Sequence, residues 1–273
     1  MIAPELIAFV AALGAGAFGA LAGVGGGLII VPLLVALGVE LHTAIGVSLL
    51  GVIAVSTSAS VPYLQQGFAN RRLGLTLLVA TAAGGIAGGY VAGLLDGRAL
   101  SGLFALVLVL VALQMLRARG RPAVEVVGEP GTLEIDSSYV EPTTGETIAY
   151  RARNVPVAMA VSVSAGAVSG LMGIGGGVVN VPTMNVLMGV PIRVATATST
   201  FMLGATAAAS SVLYLSRGQI DALLAAAVVA GVYVGAAIGA RFSRRVSRQA
   251  LSLAFIVIAL IFAAQMAFRF ANG

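Results

Sequence analysis

One ten-residue segment of this chain occurs twice in closely similar form. Gly23-Val24-Gly25-Gly26-Gly27-Leu28-Ile29-Ile30-Val31-Pro32 returns as Gly173-Ile174-Gly175-Gly176-Gly177-Val178-Val179-Asn180-Val181-Pro182, at an offset of 150. Beyond Pro182 the offset is 151. Ala44 and Ser48 then match Ala195 and Ser199, Tyr63 and Gly67 match Tyr214 and Gly218, and Gly84 and Gly88 match Gly235 and Gly239. Further on, Ala99-Leu100 matches Ala250-Leu251, and Gln114-Met115 matches Gln265-Met266. A duplication covering most of each half restricts the fold to two copies of one unit. Repeats of this size are a signature of transporters.

Each copy is too apolar for water. Of the 273 residues, 59% are hydrophobic and 9% charged, against roughly 25% charged in a soluble domain. Turn residues and charges cut the first half into apolar runs at about 5–22, 28–38, 43–62, 73–95 and 99–117. Those of the second half fall at about 156–172, 177–189, 195–215, 219–240 and 249–269. As helices, runs of about 20 residues cross a hydrocarbon core of ~30 Å, whereas 28–38 reaches about half-way. The sequence predicts an all-helical, multi-pass membrane protein with a glycine-broken half-length or re-entrant helix in each half.

Charge sets the expected orientation. Arg117, Arg119, Arg121, Arg151 and Arg153 border a polar stretch at 122–150, which is therefore expected in the cytoplasm. Arg71 and Arg72 then fall inside as well. Arg241, Arg244, Arg245 and Arg248 do so only if 156–189 enters the membrane and returns. Five segments per half, an odd number of crossings, make the repeat inverted and put the C-terminus in the periplasm of an inner-membrane protein. The expected division is a membrane repeat at 1–121, an acidic linker at 122–150 and a second membrane repeat at 151–273. The linker holds Glu125, Glu129, Glu134, Asp136, Glu141 and Glu146 and no arginine. Alternation at Tyr139-Val140 and Thr147–Tyr150, with Pro142 and Gly145 between, suits a β-hairpin, and a disordered linker suits the composition equally. The N-terminus, whose first charge is Glu5, lacks the basic start of a signal peptide.

Several chemistries are excluded by composition. Without cysteine there are no disulfides, thiol catalysis or Cys-ligated metals, and one histidine makes no histidine-rich metal site. All 15 basic residues are arginine, so there is no Schiff-base or P-loop lysine. These arginines sit at the ends of apolar runs, where they anchor topology, so the expected partner is the lipid bilayer and not nucleic acid. No Asp or Glu falls mid-run, which removes the usual buried carboxylate proton relay. Any proton linkage is then expected through the substrate or through His42. Neither enzyme activity nor a cofactor or metal is expected.

The glycine tracts are the candidate site. A Gly-x-Gly-Gly-Gly run breaks a helix and uncovers backbone, and an apolar helical pattern resumes after each. Unpaired N–H groups and the macrodipole at such an N-terminus favour an anion. Pro32 and Pro182 are read as lying within the first turn, where a missing donor costs nothing. Irregular backbone at membrane depth must be buried or line a cavity. Two facing anion cradles near the midplane are one reading, and close helix packing through small residues is the other. Ser48 and Ser199 stand out among many intramembrane hydroxyls because they are repeat-equivalent. Gln114 and Gln265 read as interfacial anchors, and His42 as a lone surface histidine in a turn. Asn180 and Asn185 lie where the first half has Ile30 and Val35; facing a cavity, they would make the second half the more polar.

The paired G-x-G-G-G-x-x-x-V-P segments, the further helices of each repeat and the polar mid-chain break resemble the TauE/SafE sulfite exporter family of membrane permeases. The resemblance spans nearly the whole chain apart from 122–150. It implies an inner-membrane carrier of small sulfur-containing anions, sulfite or organosulfonates. By that resemblance Gly25, Gly26, Gly27 and Pro32, with Gly175, Gly176, Gly177 and Pro182, would line its site; the residues themselves add Ser48, Asn180 and Ser199 as candidates. An anion channel with the same glycine tips is the first alternative. A scaffold or sensor acting through 122–150 is the second.

Overall fold

A computed structural model describes residues 4–118, 135–141, 145–242 and 248–272. The expectations resting on Arg119, Arg121, Arg244, Arg245 and the carboxylates of 125–134 lie outside those residues. The first half comprises α1 (Pro4–Ala22), α2 (Gly27–Ala36), α3 (Leu41–Gln65), α4 (Arg71–Ala92) and α5 (Gly97–Ala118). Strands β1 (Ile135–Val140) and β2 (Thr147–Ala152) follow. The second half comprises α6 (Val155–Met172), α7 (Gly177–Pro182), a π-helical turn (Thr183–Leu187), α8 (Ile192–Ser216), α9 (Ala222–Phe242) and α10 (Arg248–Asn272). Among the described residues six helices, α3, α4, α5, α6, α9 and α10, are long and apolar enough to cross a membrane. This is an all-helical, multi-pass membrane protein.

Local chemistry explains where the helices begin. Glu40 caps α3 by accepting from the His42 and Thr43 N–H groups, and Asn70 caps α4 by accepting from Leu73 N–H at 3.0 Å. Asp96 and Asp221 do the same for α5 and α9, through Ala99 and Leu224 N–H at 2.8 and 2.9 Å. Three of the four acids outside the linker are thus helix caps, each satisfying an orphan donor. The prolines lie deeper than expected. Pro32 is the sixth residue of α2, in its second turn, so it removes a ladder donor instead of an orphan. Pro182 ends α7, and the chain widens into the π-turn immediately after it.

The helices pair across the halves. α1 packs on α9, α4 on α6, α3 on α8 and α5 on α10. Exchanging the halves turns the first pair into the second and maps the other two onto themselves, which is two-fold symmetry read from contacts. The closest pairs are built on glycine. A Cβ added at Gly84, Gly88, Gly166 or Gly170 would fall on the carbonyl of Val163, Ala167, Thr81 or Gly85 across the α4–α6 contact. Across α1–α9, one added at Gly231, Gly235 or Gly239 would fall on that of Phe9, Leu13 or Ala17. Both series climb in step, so the helices of each pair run parallel. With lipid as apolar as the side chains, such close backbone approach is what holds membrane helices together.

The hairpin is present, β1 pairing antiparallel with β2 from Ile135 opposite Ala152 to Val140 opposite Thr147. It docks against two helix starts. Tyr139 is buried edge-on to Phe68, and Tyr150 Oη accepts from Asn70 Nδ2 at 2.9 Å. Glu141 pairs with Arg193 at 3.0 Å, and the Arg193 guanidinium lies over the Phe68 ring. The Asp136 carboxyl, hydrogen-bonded by Arg151, sits below its ordinary range. Arg193→Ala is expected to undock the hairpin. Amide exchange over Ile135–Val140 and Thr147–Ala152 should speed up roughly tenfold, while the helices keep their protection. Unchanged exchange there would show that the aromatic contacts alone suffice.

Candidate functional site

Each half ends its first helix in the same glycine loop. Gly23, Gly25 and Gly26 have φ of 70°, 86° and 74°, and Gly173, Gly175 and Gly176 have 67°, 84° and 64°. A side chain is strained at every one of these six positions. Tyr63 and Tyr214, repeat-equivalent, brace the approach: their hydroxyls donate to the carbonyls of Ala20 and Gly170, at 3.0 and 2.8 Å. The helices that follow take their first turns from Gly26 and Gly176. The Ile29 and Ile30 N–H groups go to the Gly26 carbonyl, and those of Val179 and Asn180 to the Gly176 carbonyl. The Gly26, Gly27, Leu28, Gly176 and Val178 N–H groups have no partner among the described residues.

The two loops meet. Ser48 Oγ donates to the Gly173 carbonyl at 2.8 Å, and Ser199 Oγ donates to the Gly23 carbonyl at 3.2 Å. Each serine therefore holds the other half's loop. A Cβ at Gly27 would fall on the Gly173 carbonyl, and one at Gly177 on the Gly23 carbonyl. For these two glycines, loop-on-loop contact is in itself a sufficient reason for glycine. Val52 and Leu203, equivalent at offset 151, close over both loops, 3.0–3.3 Å from the positions a Cβ would take at Gly25 and Gly175. Eight of the sequence's site residues thus come together: Gly25, Gly26, Gly27, Ser48, Gly175, Gly176, Gly177 and Ser199.

The others lie further out. Pro32 and Pro182 are in the second turns of their helices, about 7 Å along the axis from the tips. Asn180 is buried and its Oδ1 accepts from Ser162 at 3.2 Å. Asn185 does not join the site, because its amide closes the turn after the half-helix by donating to the Val190 carbonyl at 2.9 Å. Gln265 is no interfacial anchor. Helix α10 packs on α2, and Gln265 Nε2 donates to the Pro32 carbonyl at 3.0 Å. Gln114 is exposed.

His42 is likewise not a lone surface residue. It is the second residue of α3 and only 9% exposed. Its Nδ1 is 2.8 Å from Glu40 Oε1, and its Nε2 lies 3.2 Å from both the Ala92 and the Leu95 carbonyl oxygens. Partial burial pushes the Glu40 carboxyl up, but hydrogen bonds from the His42 ring, the Thr43 hydroxyl and the His42 N–H outweigh it, so the group is held below its ordinary value.

Sequence reasoning missed Tyr63, Tyr214, Val52 and Leu203 as parts of this centre. The signal was there for the tyrosines, whose equivalence was plain and whose role needed the fold.

The family described as Sulfite exporter TauE/SafE matches residues 8–266. The protein described as "Probable membrane transporter protein YunE" of Bacillus subtilis (strain 168) is 33% identical over 234 residues, covering 82% of this chain and 83% of its own length. No solved structure matches.

Proposed function

Because the chain belongs to the sulfite exporter TauE/SafE family, and so is a membrane transporter, we propose that it carries a small sulfur-containing oxyanion, sulfite or an organosulfonate, across the inner membrane. The observation that carries this reading is the pair of glycine loops. Two helix N-termini converge with unpaired N–H groups at the centre of the bundle, and the sequence places no arginine mid-span. Backbone donors and helix dipoles are then the means of holding an anion there, and a compact oxyanion accepts from several directions at once. Pro32, Asn180 and Pro182 belong to the outer part of this site. Asn180 opposite Ile30, with Ser162 opposite Ala12, gives the second half the more polar wall.

The repeat is inverted in this reading. Ser56 on α3 reaches the Thr200 carbonyl on α8, while the equivalent residues Val52 and Leu203 meet at the centre, as two antiparallel helices would have it. Arginine placement agrees: parallel α4 and α6 both start at an arginine-rich end, Arg71–Arg72 and Arg151–Arg153. Residues 117–153 are then cytoplasmic and the C-terminus is periplasmic. A C-terminal reporter active only in the cytoplasm should be silent, and activity there would sink the inverted arrangement.

The test of function is binding and uptake by purified, reconstituted protein offered sulfite, organosulfonates, sulfate and carboxylates. Saturable uptake of one sulfur oxyanion is expected. Unitary currents with non-saturating flux would make the protein a channel, and no uptake of any anion would end the proposal.

A further inference from the structure

We infer that His42 is a proton-operated latch: with both ring nitrogens protonated it fastens the start of α3 to the end of α4, and loss of a proton releases that end of the bundle. The geometry demands two donors from one ring. Nδ1 faces a carboxylate oxygen of Glu40, and Nε2 faces the carbonyls of Ala92, the last residue of α4, and of Leu95 in the turn that follows. A neutral imidazole carries one N–H, so one of these acceptors would face a lone pair. Only the imidazolium satisfies every contact, and the negative end of α4's dipole favours the cation there. The ring is largely buried on its Nε2 side, so water cannot freely replace a lost donor at the Ala92 carbonyl, whereas Glu40 itself is exposed.

Four charged groups on the neighbouring elements, Asp96, Arg98, Arg217 and Asp221, have their own partners. Asp96 caps α5 through Ala99 N–H, and Asp221 caps α9 through Leu224 N–H. Arg98 donates to the Phe270 carbonyl, and Arg217 donates to the carbonyls of Gly89 and Tyr90 on α4, a turn above the His42 contact. Glu40 is therefore the charge that faces the ring, with the Thr43 hydroxyl on its second oxygen.

Repeat symmetry sharpens the point. The residue equivalent to His42 at offset 151 is Arg193, also the second residue of its helix. Arg193 fastens the opposite end of the bundle, to Glu141 and Phe68. An arginine keeps its charge at any physiological pH. One end thus has a permanent fastening and the other a titratable one. The cation is present in acid, so the His42 end is closed at low pH and loosens as pH rises.

The test exploits two features of the sequence: a single histidine, and no cysteine to interfere with labelling. Spin labels on Leu37→Cys and Leu94→Cys, both exposed positions near this contact, report the opening. Between an acidic and an alkaline sample, about pH 5 and about pH 9, the open fraction should rise roughly tenfold, as losing a hydrogen bond to a charged group implies. His42→Arg should stay closed at both pH values and His42→Gln open at both. Ring 15N resonances of the lone histidine should show both nitrogens protonated in the closed form. Distances that ignore pH in the unsubstituted protein, or pH dependence that survives His42→Gln, would overturn the latch. Should His42→Gln fail to insert, Glu40→Gln keeps the ring and should shift the opening to lower pH; an unmoved transition overturns it equally. Only the consequence for transport rests on the carrier reading. Opening without uptake of any anion leaves the latch standing and removes the carrier, and uptake with pH-blind distances does the reverse.

Discussion

Gly26→Val and Gly176→Val are each expected to abolish anion binding while the protein still inserts. Both positions hold φ values, 74° and 64°, that cost a valine roughly 1–2 kcal/mol. The added Cβ would press on the Ala15 or Ala165 carbonyl, 2.8 or 2.9 Å away. The loop must then shift, and the N–H groups of Gly26 and Gly27, or of Gly176 and Val178, lose their aim. Hydrogen bonds to a charged ligand contribute ~1.5–3 kcal/mol each, so losing one or two weakens binding by about a hundredfold or more. The measurement is anion affinity of purified variants. Gly67→Val isolates the strain, since Gly67 has φ 71° and open space where its Cβ would go. It should bind as the unsubstituted protein does. Unchanged affinity in both loop variants would assign these glycines to packing alone. Arg72→Gln, at a helix end, should disturb insertion more than affinity.

The second large effect is on assembly. Gly170→Leu on α6 and Gly235→Leu on α9 each drive a side chain onto a partner backbone, at the Gly85 and Leu13 carbonyls. Neither helix can retreat without losing the contact along its whole length. A loss above about 4 kcal/mol is expected, enough to deplete folded protein. Size-exclusion chromatography in detergent should show aggregate in place of a single peak. Gly14→Leu is the matched control, since Gly14 has open space where its Cβ would go. Normal elution of both packing variants would mean that these pairs are held together by something other than their glycines.

Much of this was legible in the sequence because a membrane leaves so few options. Among the described residues each apolar run became helical, 177–189 as the six-residue α7 with its π-turn, and even the half-length run was right, α2 covering Gly27–Ala36. The loop glycines stood out as a candidate site because they occur twice. What stayed hidden was partner choice. Nothing in the chain's periodicity says that Ser48 reaches Gly173 and not the carbonyl a turn behind it. Gln265 looked interfacial because it lies near a helix end, and only the seating of α10 on α2 gives its amide a carbonyl to reach. His42 was misread for the same reason. A residue in the first turn of a helix is exposed unless another chain end covers it, and here the end of α4 does.

The pairing of α1 with α9 and of α4 with α6 bears on how the chain is made. During synthesis α1 is made long before its principal partner, which begins only at Ala222. Until then the side of α1 that carries Phe9, Leu13 and Gly16 has only lipid or a chaperone to lie against. The fourth helix waits less long, since α6 follows directly after the hairpin. The first half therefore cannot mature by itself, and the last quarter of the chain completes what the first twenty residues began. Truncation before α9 should leave α1 accessible to membrane proteases, whatever the state of the helices between.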